Sequence, residues 1–318
     1  MKSTVSYRDS SLVLGALAGL ALACSNSAGS TTPIVPPDDV DTAQGGSSSG
    51  AASPTLPPGS GDFAMTGDDS AVCATATFCD SFEDAAVDLA PGGAWSPTQN
   101  NGTVRVDASR AFRGAHAVKA TTVGGVAYKA ALLGLSGAPV IPLTENRVYG
   151  RMMFYLESVP ATSLHWTIID GRGTVPGQDY SSTYRYGGQL PVQGGSQWMA
   201  NYDTTDFYAT PSRGPRTDCY RHAQGKVAPV GKWSCAEWYF DGQNNQMRFW
   251  LDGAELTDLE IDGTGDGCVA PPADQTWVAP TFSRLDIGWE SYAIDDERSI
   301  WIDDVVISPT QVGCPARE

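Results

Sequence analysis

Alternation, not helical periodicity, limits what this chain can become. From Val72 onward no segment sustains a 3.6-residue apolar period, and short runs alternate apolar and polar residues instead. Val148 to Leu156 is the clearest: Val148, Met152, Phe154 and Leu156 face one way, Tyr149, Arg151 and Tyr155 the other. Leu164 to Ile169 repeats the pattern, with Leu164, Trp166 and Ile168 opposite His165 and Thr167. Trp233–Phe240 and Met247–Asp252 flank Asp241-Gly242-Gln243-Asn244-Asn245, a hairpin signal because Asp-Gly and Asn tolerate positive φ. Further strands are expected at Val104–Val106, Ala117–Thr122, Trp198–Tyr202, Leu285–Trp289 and Ile300–Ile307. The chain's 35 Gly and 21 Pro punctuate such runs every few residues. Ten or more short antiparallel strands imply an all-β domain, a two-sheet antiparallel β-sandwich.

That domain occupies residues 71–318, which hold all nine Trp and every Tyr but Tyr7. Residues 24–70 contain one Phe, one Met, one Ile, one Leu and two Val. So little apolar surface cannot offset backbone ordering of about 1–2 kcal/mol per residue, so the segment reads as a flexible linker. Before it, Lys2 and Arg8 precede an apolar run, Leu12 to Ala23, suited to a signal peptide (1–23) but too short to span a bilayer. Leu20-Ala21-Leu22-Ala23-Cys24 resembles a bacterial lipobox, with Ala21 where Leu is usual. Lipid on Cys24 would hold an extracytoplasmic lipoprotein at a membrane, each buried methylene adding about 0.8 kcal/mol. Ser25 is similar to outer-membrane sorting signals.

The net charge of −16 is unevenly spread. Residues 71–251 carry fourteen acids against fifteen Lys/Arg, residues 252–318 fifteen acids against three Arg. With no basic block, nucleic acid is not an expected partner; a monomer is expected. Beyond Cys24 six cysteines remain, an even number for an oxidising compartment. They allow fifteen pairings. Cys219–Cys235 would close a long loop, Cys79–Cys314 would staple the domain ends, and Cys73–Cys268 is the remainder.

Several motifs carry a family likeness. Phe78-Cys79-Asp80-Ser81-Phe82-Glu83, Arg113-Gly114-Ala115-His116-Ala117-Val118-Lys119, Trp250-Leu251-Asp252-Gly253 and Trp301-Ile302-Asp303-Asp304-Val305-Val306-Ile307 follow the order of concanavalin A-like jelly rolls. The Gly150–Leu156 strand followed by Leu164-His165-Trp166 most resembles the glucuronan-lyase branch. The resemblance implies a jelly roll handling polysaccharide and a structural Ca²⁺. Its matching ligands are Glu83, Asp303 and carbonyls around Arg113-Gly114, hard oxygen donors that suit this cation.

Lyase chemistry on a uronate needs a cation or amide to neutralise the carboxylate, a base for the C5 proton and an acid for the leaving oxygen. Arg151, His165 and Tyr202 are the candidates, in that order, with Arg151 and His165 expected side by side on neighbouring strands of the concave face. Tyr184, Tyr186, Gln189 and Asn201 could join them in binding substrate. Trp250 shares a face with Arg248 and is expected outside the core, as a sugar platform. Arg213, Arg216, Arg221 and His222 sit in an expected loop that could line an anionic ligand's path. A Glu-x-Asp-x-x-Glu strand, the mark of a retaining laminarinase-type hydrolase, is absent, and Glu237 and Glu290 stand apart. The reading is therefore a polysaccharide-lyase-like domain, with a non-catalytic glycan-binding or laminin-G-like adhesion module as the alternative.

Overall fold

The structure, a computed structural model, describes residues 70–315 apart from 193–194, 205–217, 263–267 and 271–278. The expected signal segment, Cys24, the linker up to residue 69, Arg213 and Arg216 lie outside the described residues. Among the described residues no helix is long and apolar enough to cross a membrane.

Two antiparallel sheets take most of the described residues. The nine-stranded sheet runs Ala254–Glu255, Gln246–Leu251, Trp233–Asp241, Arg147–Leu156, Arg298–Ser308, Ala117–Thr122, Gly102–Asp107. Phe78–Asp80 also pairs with Arg298–Ser308, and Ile261–Asp262 with Gln246–Leu251. The eight-stranded sheet runs Cys268–Ala270, Asp218–Val227, Gly195–Thr204, Ser181–Val192, Trp166–Thr174, Thr281–Ser291, Lys129–Leu135, Thr98–Asn100. The expected strands are present, Ala117–Thr122 with the expected bounds and the others lengthened or shifted at their ends, and the Asp241 hairpin closes with Asn245 at φ +55°. Lys129–Leu135, Ser181–Val192 and Asp218–Val227 were not expected as strands. Arg221 and His222 thus sit on a strand, not in a loop.

The core lies between the sheets. Val148, Met152, Phe154 and Leu156 from one sheet meet Trp166, Tyr184, Tyr186, Trp198 and Trp289 from the other. Phe154 and Phe249 contact Trp198 across the sandwich at ring-centroid distances of 6.2 and 5.0 Å. Trp198, Trp238 and Trp289 are therefore core residues, each buried side chain of this size contributing about 1.5–3 kcal/mol. One departure from simple alternation is decisive. A bulge between Thr167 and Ile169 puts both Ile168 and Ile169 into the core. Asp170 and Arg172, which strict alternation would turn inward, consequently face out.

The disulfide expectations fail. Cys73 pairs with Cys79 and Cys235 with Cys314, which excludes all three proposed pairings. Cys219 is disulfide-bonded as well, and its backbone stands opposite Cys268 in the sheet register. Spacing misled because Cys235 is brought beneath the C-terminal segment by the sheet. Beside that bond, buried Glu237 accepts from the Val312 and Gly313 amides at 2.7 and 2.9 Å. The C-terminal segment is thereby strapped across the outer face of the nine-stranded sheet.

The Cys235–Cys314 bond spans 79 residues, and its loss in Cys235→Ser/Cys314→Ser is expected to cost about 2–4 kcal/mol in urea unfolding. Glu237→Ala, which orphans two part-buried amide donors, is expected to cost about 1 kcal/mol or more. Unchanged midpoints in both would mean that the strap contributes nothing.

Candidate functional site

Polar side chains gather on the outer face of the eight-stranded sheet, and register arranges them in transverse rows. One row runs Asp286, Asp170, Arg185, Asn201, Tyr220. Toward one end of the sheet the next runs Glu290, Thr167, Gly187, Met199, His222. On the other side lie Arg284, Arg172, Thr183 and Asp203. Gly187 opens the middle of the second row, where a Cβ would overlap the Trp166 carbonyl oxygen.

These charges are tightly paired. Arg284 Nε donates to both Asp286 oxygens at 2.9 and 2.8 Å, and Arg172 Nη2 bridges Asp286 and Asp170 at 2.8 and 2.9 Å. Burial pushes the Asp170 carboxyl up to about 8, with Arg172 opposing and Asp286 and Glu290 adding to the rise. Arg185 Nη1 reaches Asp203 at 2.6 Å and donates to Asn201 Oδ1 at 3.2 Å, while its buried Nε has no hydrogen-bond partner among the described residues. Glu290 accepts from Tyr128 and Tyr292 hydroxyls at 2.7 and 2.5 Å. The Tyr292 ring lies 4.9 Å from that of His165. Burial, reinforced by Arg185 and His222, pushes the His165 imidazole down to about 3, so it is neutral at ordinary pH. Its enclosed Nε2 is without a partner among the described residues, as is that of His222.

Of the residues expected here, His165 and Asn201 are on this face. Gln189 belongs to the same end of the sheet, its carbonyl accepting from Leu164 N at 3.1 Å. Arg151 does not join them. Its strand pairs with Trp233–Asp241 and Arg298–Ser308 in the other sheet, because the chain changes sheets between Leu156 and Trp166. There Arg151 is buried on the outer face and donates to the Gly313 carbonyl at 3.4 Å. Tyr186 and Tyr202 are core residues, turned inward because Arg185 and Asn201 next to them face out. Burial pushes the Tyr202 hydroxyl up to about 12. Trp250 is buried on the outer side of the other sheet, its ring 6.4 Å from that of Tyr149, and lies away from His165. Arg172, Arg185, Tyr128, Tyr220, Glu290 and Tyr292 were missed. Their signal was short: Tyr184-Arg185-Tyr186 alternates, and Asp170-Gly171-Arg172 and Arg284-Leu285-Asp286 place opposite charges on one face.

The expected cation ligands lie at the other sheet. Glu83, Gly114 and Asp304 line one cavity of about 310 Å³ with Asp80, Ser81 and Arg113. Asp303 is turned aside instead, accepting from the Phe112 and Arg113 amides at 2.8 and 3.2 Å. The expected register is one residue off because Asp304, at φ +45°, interrupts the alternation. Among the described residues no three His, Cys, Asp or Glu converge. Still, burial and the neighbouring Asp304 push the Asp303 carboxyl up to about 8, a sign of excess buried negative charge. The Glu83 carboxylate accepts from the Ala115 and His116 amides, and at Gly114 (φ +69°) a Cβ would overlap it. Glu83 and Asp304 are the hard oxygen donors of this cavity, and Arg113, 3.2 Å from Asp304, is the counter-charge there.

The two antiparallel sheets form a jelly-roll β-sandwich. The polysaccharide-lyase-like family, in its Cip1-like core domain, matches residues 82–310, and the chain belongs to that family. Among solved structures it is similar to the cellulose-induced protein Cip1, at 20% identity and a TM-score of 0.50, over 74% of this chain and 99% of that one. It is also similar to the alginate lyase vAL-1 from Chlorella virus, at 13% identity and a TM-score of 0.42, over 68% and 93%. No curated protein matches the sequence.

His165 makes a signed prediction. Its folded pKa lies below the unfolded value of about 6.5, so the unfolded state binds the extra proton and stability falls as pH drops from about 6.5 toward 3. His165→Gln is expected to flatten urea-unfolding free energy against pH in that window. Parallel profiles for the two proteins would refute it.

Proposed function

We propose that this domain cleaves uronate-containing polysaccharide by β-elimination on the outer face of the eight-stranded sheet. The observation that supports it most is Arg185 and Asn201 side by side, flanked by His165 toward one edge and by Tyr220 and His222 toward the other. Arg185 and Asn201, joined by a hydrogen bond of 3.2 Å, bind and neutralise the substrate carboxylate. Neutral His165 takes the C5 proton, and Tyr220, exposed and 5.1 Å from His222, protonates the leaving oxygen. A second reading, glycan binding without cleavage, is favoured by Arg185 already pairing with Asp203.

The experiment is incubation with a panel of uronate polymers, following absorbance at about 235 nm from the unsaturated uronyl product that this acid–base scheme yields. Arg185→Ala is expected to lower kcat by about 10²–10³, the usual cost of losing one charge-stabilising donor. His165→Gln is expected to lose more than His222→Gln. No product from any uronate polymer, with retardation in a neutral-glycan gel, would leave binding alone.

Ca²⁺ between Glu83 and Asp304, with nearby backbone carbonyls, belongs to the same proposal as a brace for the N-terminal segment against the last strand. Chelation is expected to lower Tm, because an ion bound only by the folded state stabilises it. An unchanged Tm removes the ion. Anchoring through Cys24 places the domain outside the cytoplasm at a membrane; mass spectrometry of the mature N-terminus tests it.

A further inference from the structure

We infer that Tyr128 and Tyr292 form a sugar-stacking subsite for an uncharged pyranose unit, next to the Arg185–Asn201 group. Both residues are exposed, 42% and 37%, as is Tyr220 on the same face, whereas Asp170, Arg185, Asn201, Asp286 and Glu290 between them are buried. Their rings are 6.1 Å apart and inclined by 34°. Tyr128 immediately precedes Lys129–Leu135 and Tyr292 immediately follows Thr281–Ser291, strands joined through the Ser291–Lys129 pair. The two rings thus extend the sheet by one step, side by side.

An exposed tyrosine ordinarily keeps its hydroxyl in water and its rotamers free. Here both hydroxyls donate to one carboxylate, Glu290, which is only 4% exposed. Glu290 fixes the polar ends of two rings whose remaining surface is open. Rings held this way meet the C–H face of a pyranose without losing further freedom, which is what a stacking platform requires. On the far side of Tyr292 the His165 ring continues the row.

Charge decides which sugar. Beyond Glu290 this corner holds Asp295, Asp296 and Glu297, and its cations are committed: Lys129 Nζ to the Asp295 and Asp296 carbonyls, Arg298 to Asp295. A uronate carboxylate would meet repulsion there, whereas an uncharged ring would not. Arg185, whose guanidinium carbon is 5.8 Å from the Tyr292 ring centre, marks the boundary with the carboxylate-binding part of the face.

The subsite rests on the proposed function only in lying along the same face, and binding can be read without cleavage. Isothermal titration of the full chain with neutral gluco-, manno- and xylo-oligosaccharides and with uronate oligomers is the test. Tyr128→Ala is expected to weaken the neutral ligand at least tenfold, with uronate oligomers affected less. Tyr128→Phe, which keeps the ring and drops one anchor, is expected to fall between, and Tyr128→Trp to retain binding even if Tyr128→Ala folds poorly. Wild type that binds no neutral oligosaccharide, or a Tyr128→Ala protein that binds it unchanged, overturns the inference. Cleavage of uronate polymer with unchanged binding in Tyr128→Ala would sink the subsite and spare the lyase. Loss of neutral-sugar binding with no cleavage would do the reverse.

Discussion

The extra residue at Ile168 is the constraint on which the polar face depends. Two consecutive isoleucines must both leave water, and a strand without a bulge buries only one of them. By taking both into the core, the bulge reverses the phase of the rest of the strand and turns Asp170 and Arg172 outward. Those two groups then complete the Arg284–Asp286–Arg172–Asp170 chain of alternating charge. Facing inward, the same carboxylate and guanidinium would have to be desolvated among aromatic rings, at a cost of several kcal/mol per ion. The hydrophobic demand of one residue thus sets the electrostatics of the opposite surface.

The two faces of the sandwich are used differently. The nine-stranded sheet carries the domain's closures: the Cys235–Cys314 bond, the Glu237 contacts and the Glu83–Asp304 cavity. Two of its outer aromatics are covered by cations, with Arg110 over Tyr155 at 3.7 Å and Lys119 over Trp301 at 4.6 Å. The eight-stranded sheet instead leaves Tyr128, Tyr220 and Tyr292 exposed around a buried ionic network. A rigid charged floor beneath open aromatic edges is a surface suited to a long polar chain.

Local pattern made much of this legible. The β class, the hairpin at Asp241 and the inward set of Val148–Leu156 follow from local pattern alone. His165 and Asn201 could be placed on an outward face for the same reason. Sheet membership could not. Arg151 and His165 stand fourteen positions apart with matching alternation, yet the chain crosses to the other sheet between them. Tyr202 and Tyr186 carry the right chemistry, but their outward neighbours Asn201 and Arg185 fix them inside. The cysteine partners were equally hidden, since Cys235 meets Cys314 only through strand pairings remote in sequence. Asp304 escaped because its positive φ breaks the two-residue rhythm at the position where the rhythm was being used.

Both points where the chain enters and leaves the folded body belong to one sheet. Phe78–Asp80 is laid against Arg298–Ser308, and Cys314 is fastened to Cys235 on the same layer. The first and last described segments are thus fastened to the layer opposite the tyrosine-edged surface, so neither of them crosses that surface.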